Sequence, residues 1–169
     1  KKWVEYMHNA GDEEFLWLGG DHYGDWLAMD AGYGIYVGAT QTDFIASAFF
    51  AYSTALVIKA GKVLGEDTSY FEDLYVKVRA RFRECFMKDG MPIGDVSKLG
   101  SPLAPEERHG MTQTAITLIL HFGLCEESER EALTDKLVEL IELFGGRMST
   151  GFLGTPYILH ALSDNGRND

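Results

Sequence analysis

The chain has 169 residues, with 46% hydrophobic and 24% charged side chains and a formal net charge of −11 at pH 7. That length suits one domain with a proper core, or part of a larger one. The acidic balance excludes a nucleic-acid partner, because Lys and Arg supply affinity for phosphates, and it argues equally against an anionic membrane surface; a neutral glycan or a neutral or cationic small molecule fits better.

The first residues, "KKWVEYMHNA", lack the apolar core of a signal peptide. They read as the end of an amphipathic helix already under way. With no initiator Met, the chain is expected to be an excised piece. No apolar run is read as reaching the length of a membrane span. Cys85 and Cys125 sit in apolar helical patterns without a CxxC, so buried free thiols are expected and the compartment stays open.

The next stretch, residues 10 to 40, is Gly-rich and contains "GDHYGDWLAMD" (20 to 30). Trp26 offers a broad apolar face of the kind that stacks on the C–H face of a sugar ring. Asp25 beside it could accept hydrogen bonds from hydroxyls, and His22 and Tyr23 flank the pair. The alternative is that Trp26 plugs the core and Asp25 caps a turn.

Residues 42 to 64 place Ile45, Ala48, Phe49, Tyr52, Leu56, Ala60 and Val63 at helical spacing. Thr42 or Asp43 serves as N-cap and Gly65 as the stop. Residues 68 to 87 repeat the pattern with Phe71, Leu74, Tyr75, Val78, Phe82 and Cys85, capped by Thr68 or Asp67 and followed by Gly90. Two further helices are predicted over 112 to 122 and 128 to 144, the second through Leu133, Leu137, Leu140, Ile141 and Phe144. A short one over 155 to 163 follows "STGFLGTP" (149 to 156), where Thr155 would cap and Pro156 begin the helix. No strand alternation is found, and the chain reads as all-α.

The helices alternate in character. Those at 42 to 64, 112 to 122 and 155 to 163 are apolar on most faces; those at 68 to 87 and 128 to 144 carry charged faces. A helix apolar all round is buried and an amphipathic one covers it, which is the pattern of an inner and an outer layer of helical hairpins. Phe49, Tyr52 and Leu118 should then be mostly buried, with Lys77, Arg81, Glu131 and Lys136 in solvent. "TQTDFIAS" (40 to 47) and "TQTAITLI" (112 to 119) open two of the inner helices alike. The long loops, 10 to 40, 88 to 111 and 145 to 154, all lead into inner helices. Gathered at one end of a rigid scaffold, they are where a binding site is expected.

Within them, Gln113 stands at the start of an inner helix, where an amide can bind a hydroxyl ligand or satisfy helix-end donors. His121 and His160 lie in apolar helices and read as core residues. No HExxH, Walker or GxGxxG motif occurs in a usable context. Neither a metal site nor a cofactor is expected, and no catalytic group can be named.

The succession "YGDWLA" (23 to 28), "TDFIASAFFAYSTALVIKAGKVLGEDTSYFEDLYVKVRARFRECF" (42 to 86), "TQTA" (112 to 115), "LTDKLVELI" (133 to 141) and "TGFLGTPYILHALSDNG" (150 to 166) resembles the catalytic domain of bacterial α-L-rhamnosidases, glycoside hydrolase family 78. The resemblance covers nearly the whole chain and the middle of the family's six-hairpin (α/α) barrel. It implies that residues 1 to 169 are part of an (α/α)6 toroid truncated at both ends. The parent enzyme would cleave terminal α-L-rhamnose from glycans or glycosides by an inverting mechanism with two carboxylates.

The family's acidic "ERLGWTGD" motif and its downstream "WE" segment are both missing here. The resemblance therefore assigns no catalytic residue to this chain, which alone should be inactive. It implies substrate-binding roles for Trp26, Asp25, His22, Gln113, Thr150 and Phe152. The segment "MDAGYGIYVGATQ" departs from the Pro-containing versions of its loop. Exposed inner helices would favour association between copies. The rival readings are another six-hairpin glycosidase, glucoamylase- or trehalase-like, and a non-catalytic helical module that binds a glycan or a protein. A helical-repeat scaffold would show a regular period, which is not found.

Overall fold

In the computed structural model, residues 1–11, 13–100 and 103–168 are described. Among the described residues six α-helices carry the fold: α1 (Lys2–Ala10), α2 (Thr42–Leu64), α3 (Ser69–Phe86), α4 (Gln113–Phe122), α5 (Arg130–Leu143) and α6 (Thr155–Ser163). α4 lies between α2 and α6, while α3 packs on α2, α5 packs on α4, and α1 touches α2. The inner row is α2, α4 and α6 and the outer row α3 and α5, as the alternation of apolar and charged helices predicts.

The core explains that arrangement. α3 buries Phe71, Leu74, Val78, Phe82 and Phe86, a single stripe at helical spacing,. Phe44 of α2 meets Phe82 and Phe86 edge-on, at 4.9 and 5.4 Å between ring centroids. In α4 every residue except His121 is buried, so this helix is the centre of the fold. Leu133, Leu137 and Leu140 of α5 close over it. Phe49 and Tyr52 are only half-buried, since one apolar face of α2 stays uncovered at Leu56 and Val63. Lys77 and Glu131 are exposed, but Arg81 and Lys136 are half-buried, drawn onto the helix surface by ion pairs with Glu84 and Glu139.

Two further expectations change. Met87, expected to end a helix, and the start of the 88–111 loop form a small antiparallel hairpin, β1 (Met87–Lys88) paired with β2 (Met91–Pro92). Asp89 and Gly90 turn it with φ of 51° and 79°, the left-handed geometry that two-residue hairpin turns require. And α2, with 23 residues and an 18-residue stretch of mean hydropathy 1.5, is long and apolar enough to cross a membrane. Here it packs against α1, α3 and α4 as a core helix.

Caps set the helix limits. Thr112 accepts the Ala115 N–H at 3.0 Å, satisfying one of the donors that a helix start leaves free. Gly65 ends α2 at a φ of 68°, and the Glu66 N–H returns to the Gly61 carbonyl,. Between outer helices, the Arg83 guanidinium holds both oxygens of Glu129 at 2.7 Å and the Leu124 carbonyl at 3.0 Å. Arg79 takes the Gly123 and Cys125 carbonyls. Together they clamp the α4–α5 connection to α3. Cys85 and Cys125 are free thiols, Cys125 buried as expected and Cys85 only half-buried.

Gly61 permits the tight α2–α3 corner: a Cβ there would stand 2.5 Å from the Thr68 methyl. Gly61→Ala is expected to lower unfolding stability by about 1–2 kcal/mol through that overlap. Adding Thr68→Ser removes the methyl and should recover most of the loss, because Ala is the better helix former by about 1 kcal/mol. Chemical denaturation of both variants checks it; equal stability of the single and the double variant would refute the steric account.

Candidate functional site

The long loop between α1 and α2 is folded back on itself. Trp26 bridges Val37 in antiparallel fashion, the Leu27 N–H reaches the Tyr36 carbonyl at 2.6 Å, and the Gly38 N–H reaches the Asp25 carbonyl at 3.0 Å. Gly24 sits at a φ of 55° against Val37 and Thr42, where a Cβ would be crowded at 3.0 and 3.1 Å. Leu27 is also left-handed, with a φ of 62°, a costly conformation for a branched side chain that persists only where its surroundings hold it.

What holds it is the turn before α6. The fully buried Asp25 carboxylate accepts from the Thr114 hydroxyl of α4, the Gly151 and Leu153 N–H groups at 2.7 Å, and the Gly154 N–H at 3.2 Å. The Phe152 N–H donates to the Trp26 carbonyl at 2.9 Å, and the Met29 N–H to that of Ser149 at 2.8 Å. A Cβ on Gly151 would lie 2.3 Å from the Trp26 carbonyl oxygen, and one on Gly154 2.6 Å from the Thr114 hydroxyl. "GDW" and "TGFLGTP" are thus two halves of one structural unit.

That unit presents a cavity of about 540 Å³ lined by His22, Tyr23, Gly24, Trp26, Phe152 and Leu153. The indole is held by Tyr23 edge-on at 5.2 Å and by Tyr36 stacked at 5.4 Å. His22 accepts the Gly24 N–H on Nδ1 at 3.2 Å. Its pKa is lowered, first by burial and then by the Arg108 charge, against an opposing pull from Asp43. Near neutral pH the imidazole is therefore uncharged. None of the described residues lining the cavity carries a carboxylate.

The structure therefore brings His22, Trp26 and Phe152 together and sets the other three behind them. The oxygens of Asp25 already serve four protein donors, which matches the acceptor sites a carboxylate has. Gln113 is buried; its Nε2 donates to the Leu140 and Arg147 carbonyls and its Oε1 accepts the Ser149 N–H. Thr150 is buried with its hydroxyl on that of Thr155. Asp25 and Gln113 hold backbone in place, and Thr150 joins its turn to the first residue of α6. For Asp25 and Gln113 this is the plainer of the two sequence readings.

Sequence reasoning passed over Tyr36, whose only signal was an aromatic in an atypical loop, and gave Asp30 no role of its own. Asp30 is buried, takes the Ala39 N–H on Oδ1 at 2.8 Å, and leaves Oδ2 without a partner among the described residues. Burial foremost, with the nearby Asp25 charge adding to it, raises its pKa from 3.8 to about 6, although the Ala39 N–H pulls the other way.

The chain matches, over residues 1–169, the family described as the bacterial α-L-rhamnosidase six-hairpin glycosidase domain. It is 34% identical over 168 residues to an α-L-rhamnosidase of Streptomyces avermitilis, covering 99% of this chain and 14% of that protein. It is 33% identical over 171 residues to an α-L-rhamnosidase of Formosa agariphila, covering all of this chain and 17% of that one. The chain thus spans about a sixth or less of the length of these curated relatives. The crystal structure of the Streptomyces avermitilis α-L-rhamnosidase complexed with L-rhamnose superposes with a TM-score of 0.78 at 32% identity, over 99% of this chain and 14% of that one.

Two outcomes are expected. Asp25→Asn exchanges two acceptor sites for donors that face N–H groups, and should cost about 3 kcal/mol or more in unfolding free energy; a loss under about 0.5 kcal/mol would mean that the carboxylate does not hold the turn. Asp30 has a folded pKa above its unfolded one, so its contribution is full below 3.8 and is lost as pH rises through about 6,. Thermal unfolding of wild type and Asp30→Asn at about pH 4 and about pH 7 should show the difference moving toward the variant by about 2–3 kcal/mol at the higher pH. A gap that does not change with pH would contradict this.

Proposed function

Because the chain belongs to the bacterial α-L-rhamnosidase six-hairpin glycosidase family, we propose that it forms part of the (α/α) toroid of a hydrolase cleaving terminal α-L-rhamnose from glycans or glycosides, and that its Trp26 cavity is wall of the rhamnose subsite. The observation that carries this reading is the fixed, aromatic-lined cavity built by the two segments whose sequences resemble the family most specifically.

In this reading Trp26 offers its face to the C–H side of the sugar ring, and Phe152 borders it. His22, uncharged near neutral pH, supplies the polar edge of an otherwise apolar lining. Asp25 acts through the backbone: it fixes the position of Trp26 relative to Phe152. Gln113 and Thr150 secure the same turn from behind. The general acid and base come from other parts of the protein, since an inverting glycosidase needs two carboxylates across the sugar with room for water between them. A chain without that pair loses roughly 10²–10⁴-fold for each missing group, so residues 1–169 alone are inactive.

The test is turnover of an aryl α-L-rhamnoside and an aryl glucoside by the full-length protein that carries this chain, as wild type and as Trp26→Ala. Wild type should prefer the rhamnoside. The variant should lose about tenfold or more in kcat/KM, which corresponds to ~1.4 kcal/mol of transition-state contact. Unchanged kinetics in a folded variant would return Trp26 to a purely structural role. Preference for the glucoside would favour a glucoamylase- or trehalase-like enzyme.

A further inference from the structure

Asp30 is a buried ionisable group to which the Trp26 wall gives no contact with ligand, yet it joins the two arms of the loop that carries the wall. Its Oδ1 accepts the Ala39 N–H of the returning arm at 2.8 Å, and its own carbonyl accepts the Gly100 N–H at 2.8 Å. With the Leu27–Tyr36 and Gly38–Asp25 backbone bonds, Asp30 completes the closure that stacks Tyr36 on Trp26 at 5.4 Å. The fit is close. A Cβ on Gly38 would stand 2.7 Å from the Ala28 methyl and 3.2 Å from Oδ1, and Ala28, Ala31 and Ala39 are all buried. Oδ2 has no partner among the described residues.

The rest of the loop is lightly held. Residues 33–36 are exposed, Gly32 and Gly34 turn its tip at φ of 83° and 81°, and Leu27 keeps its left-handed φ of 62°. Backbone with few buried contacts opens at low free energy. A proton on Oδ2 leaves Oδ1 able to accept from Ala39 and puts no charge among the alanines. Ionisation adds a second carboxylate charge near Asp25, where no described donor meets Oδ2, and a buried charge short of hydrogen bonds is costly. Parting of the arms lets water reach it.

We infer that Asp30 is a positioning residue for the Trp26 wall: protonated, it holds Tyr36 against the indole, and ionisation releases the loop. For its effect on turnover the inference rests on the rhamnosidase reading. The charges around Asp30 are few. Asp25 is the one that acts on it, in the same direction as burial. The segment bonded to Ala39 brings His109, with Arg108 one residue before it, and the segment ending at Gly100 carries Asp95 and Lys98. Asp43 lies in the first turn of α2. The turn 149–154 carries no ionisable side chain, and Arg147 ahead of it is exposed. Closure raises the Asp30 pKa from 3.8 to about 6, so the closed loop is favoured most below 3.8 and loses that advantage as pH rises through about 6,.

The experiment uses the full-length protein that carries this chain, as wild type, Asp30→Asn and Tyr36→Ala, at about pH 5 and about pH 7. Amide hydrogen exchange gives protection factors for Leu27, Gly38 and Ala39. Wild-type protection should fall about tenfold between the two pH values, while that of Asp30→Asn, which keeps an acceptor for Ala39 without a charge, stays level. KM for an aryl α-L-rhamnoside, divided by that of Asp30→Asn, should rise about threefold or more over the same range, with the kcat ratio level. Tyr36→Ala should keep the pH-dependent protection of Ala39 and lose the pH-dependent KM. Level wild-type protection, or an equal fall in Asp30→Asn, would overturn the release of the loop. A KM ratio that does not move, or one that still moves in Tyr36→Ala, would overturn the positioning of the wall. If wild type hydrolyses no rhamnoside at either pH, the rhamnosidase reading fails, and the exchange ratios alone decide for or against the release.

Discussion

The structure turns on one buried carboxylate. Asp25 lies in the loop before α2, and the N–H groups it accepts belong to the turn before α6, 126 to 129 residues further on. A buried carboxylate is tolerated only where hydrogen bonds replace its water, and charge-assisted bonds from N–H groups are the stronger kind. The requirement works in both directions. The turn must curl so that its amides converge, and the loop must place Asp25 where they meet. Glycine at 151 and 154 follows from that closeness, because a side chain at either would overlap Trp26 or Thr114. The indole and the Phe152 ring are thereby held on facing segments of one unit.

The helices provide the frame in which this unit can be rigid. α4, buried almost all round, presents Thr114 to Asp25 and Gln113 to the turn behind it. The starts of the neighbouring inner helices are joined by a hydrogen bond of 2.6 Å between the Thr40 and Thr112 hydroxyls. These are the first residues of the two similar stretches, "TQTDFIAS" and "TQTAITLI". The likeness has a structural use, although Thr112 caps its helix and Thr40 stands ahead of the one it precedes. At the far end, Arg79 and Arg83 bind the carbonyls that follow α4. Both ends of the central helix are therefore fixed, and the loops before α2 and α6 can specialise without loosening the core.

The chemistry of the resulting surface is one-sided. Aromatic and aliphatic groups dominate the Trp26 cavity, and among the described residues its lining includes one imidazole and no carboxylate. Such a wall can recognise the shape of a ring and exclude water from one side of it. Asp30 is buried beneath the neighbouring loop with one oxygen unpaired among the described residues. Its raised pKa makes the stability of that loop depend on pH,.

Much of this was determined by the sequence alone. Helical spacing and the alternation of apolar with charged helices specify the inner and outer rows, because burial depends on which faces are apolar, and that is a local property. Glycines at 65 and 123 end helices by backbone freedom, which is equally local. The prominence of "GDW" and "TGFLGTP" was legible too, and with it Trp26 and Phe152. The division of labour within those motifs was decided by tertiary structure. Asp25, Gln113 and Thr150 carry the same functional groups whether they face a sugar or a backbone amide. Only the approach of segments more than a hundred residues apart in the chain supplies the protein donors that occupy Asp25. The β1–β2 hairpin escaped notice because two residues per strand leave no alternation to read. Tyr36 did as well, because its role comes from stacking on a ring across a folded loop, a contact that no spacing encodes.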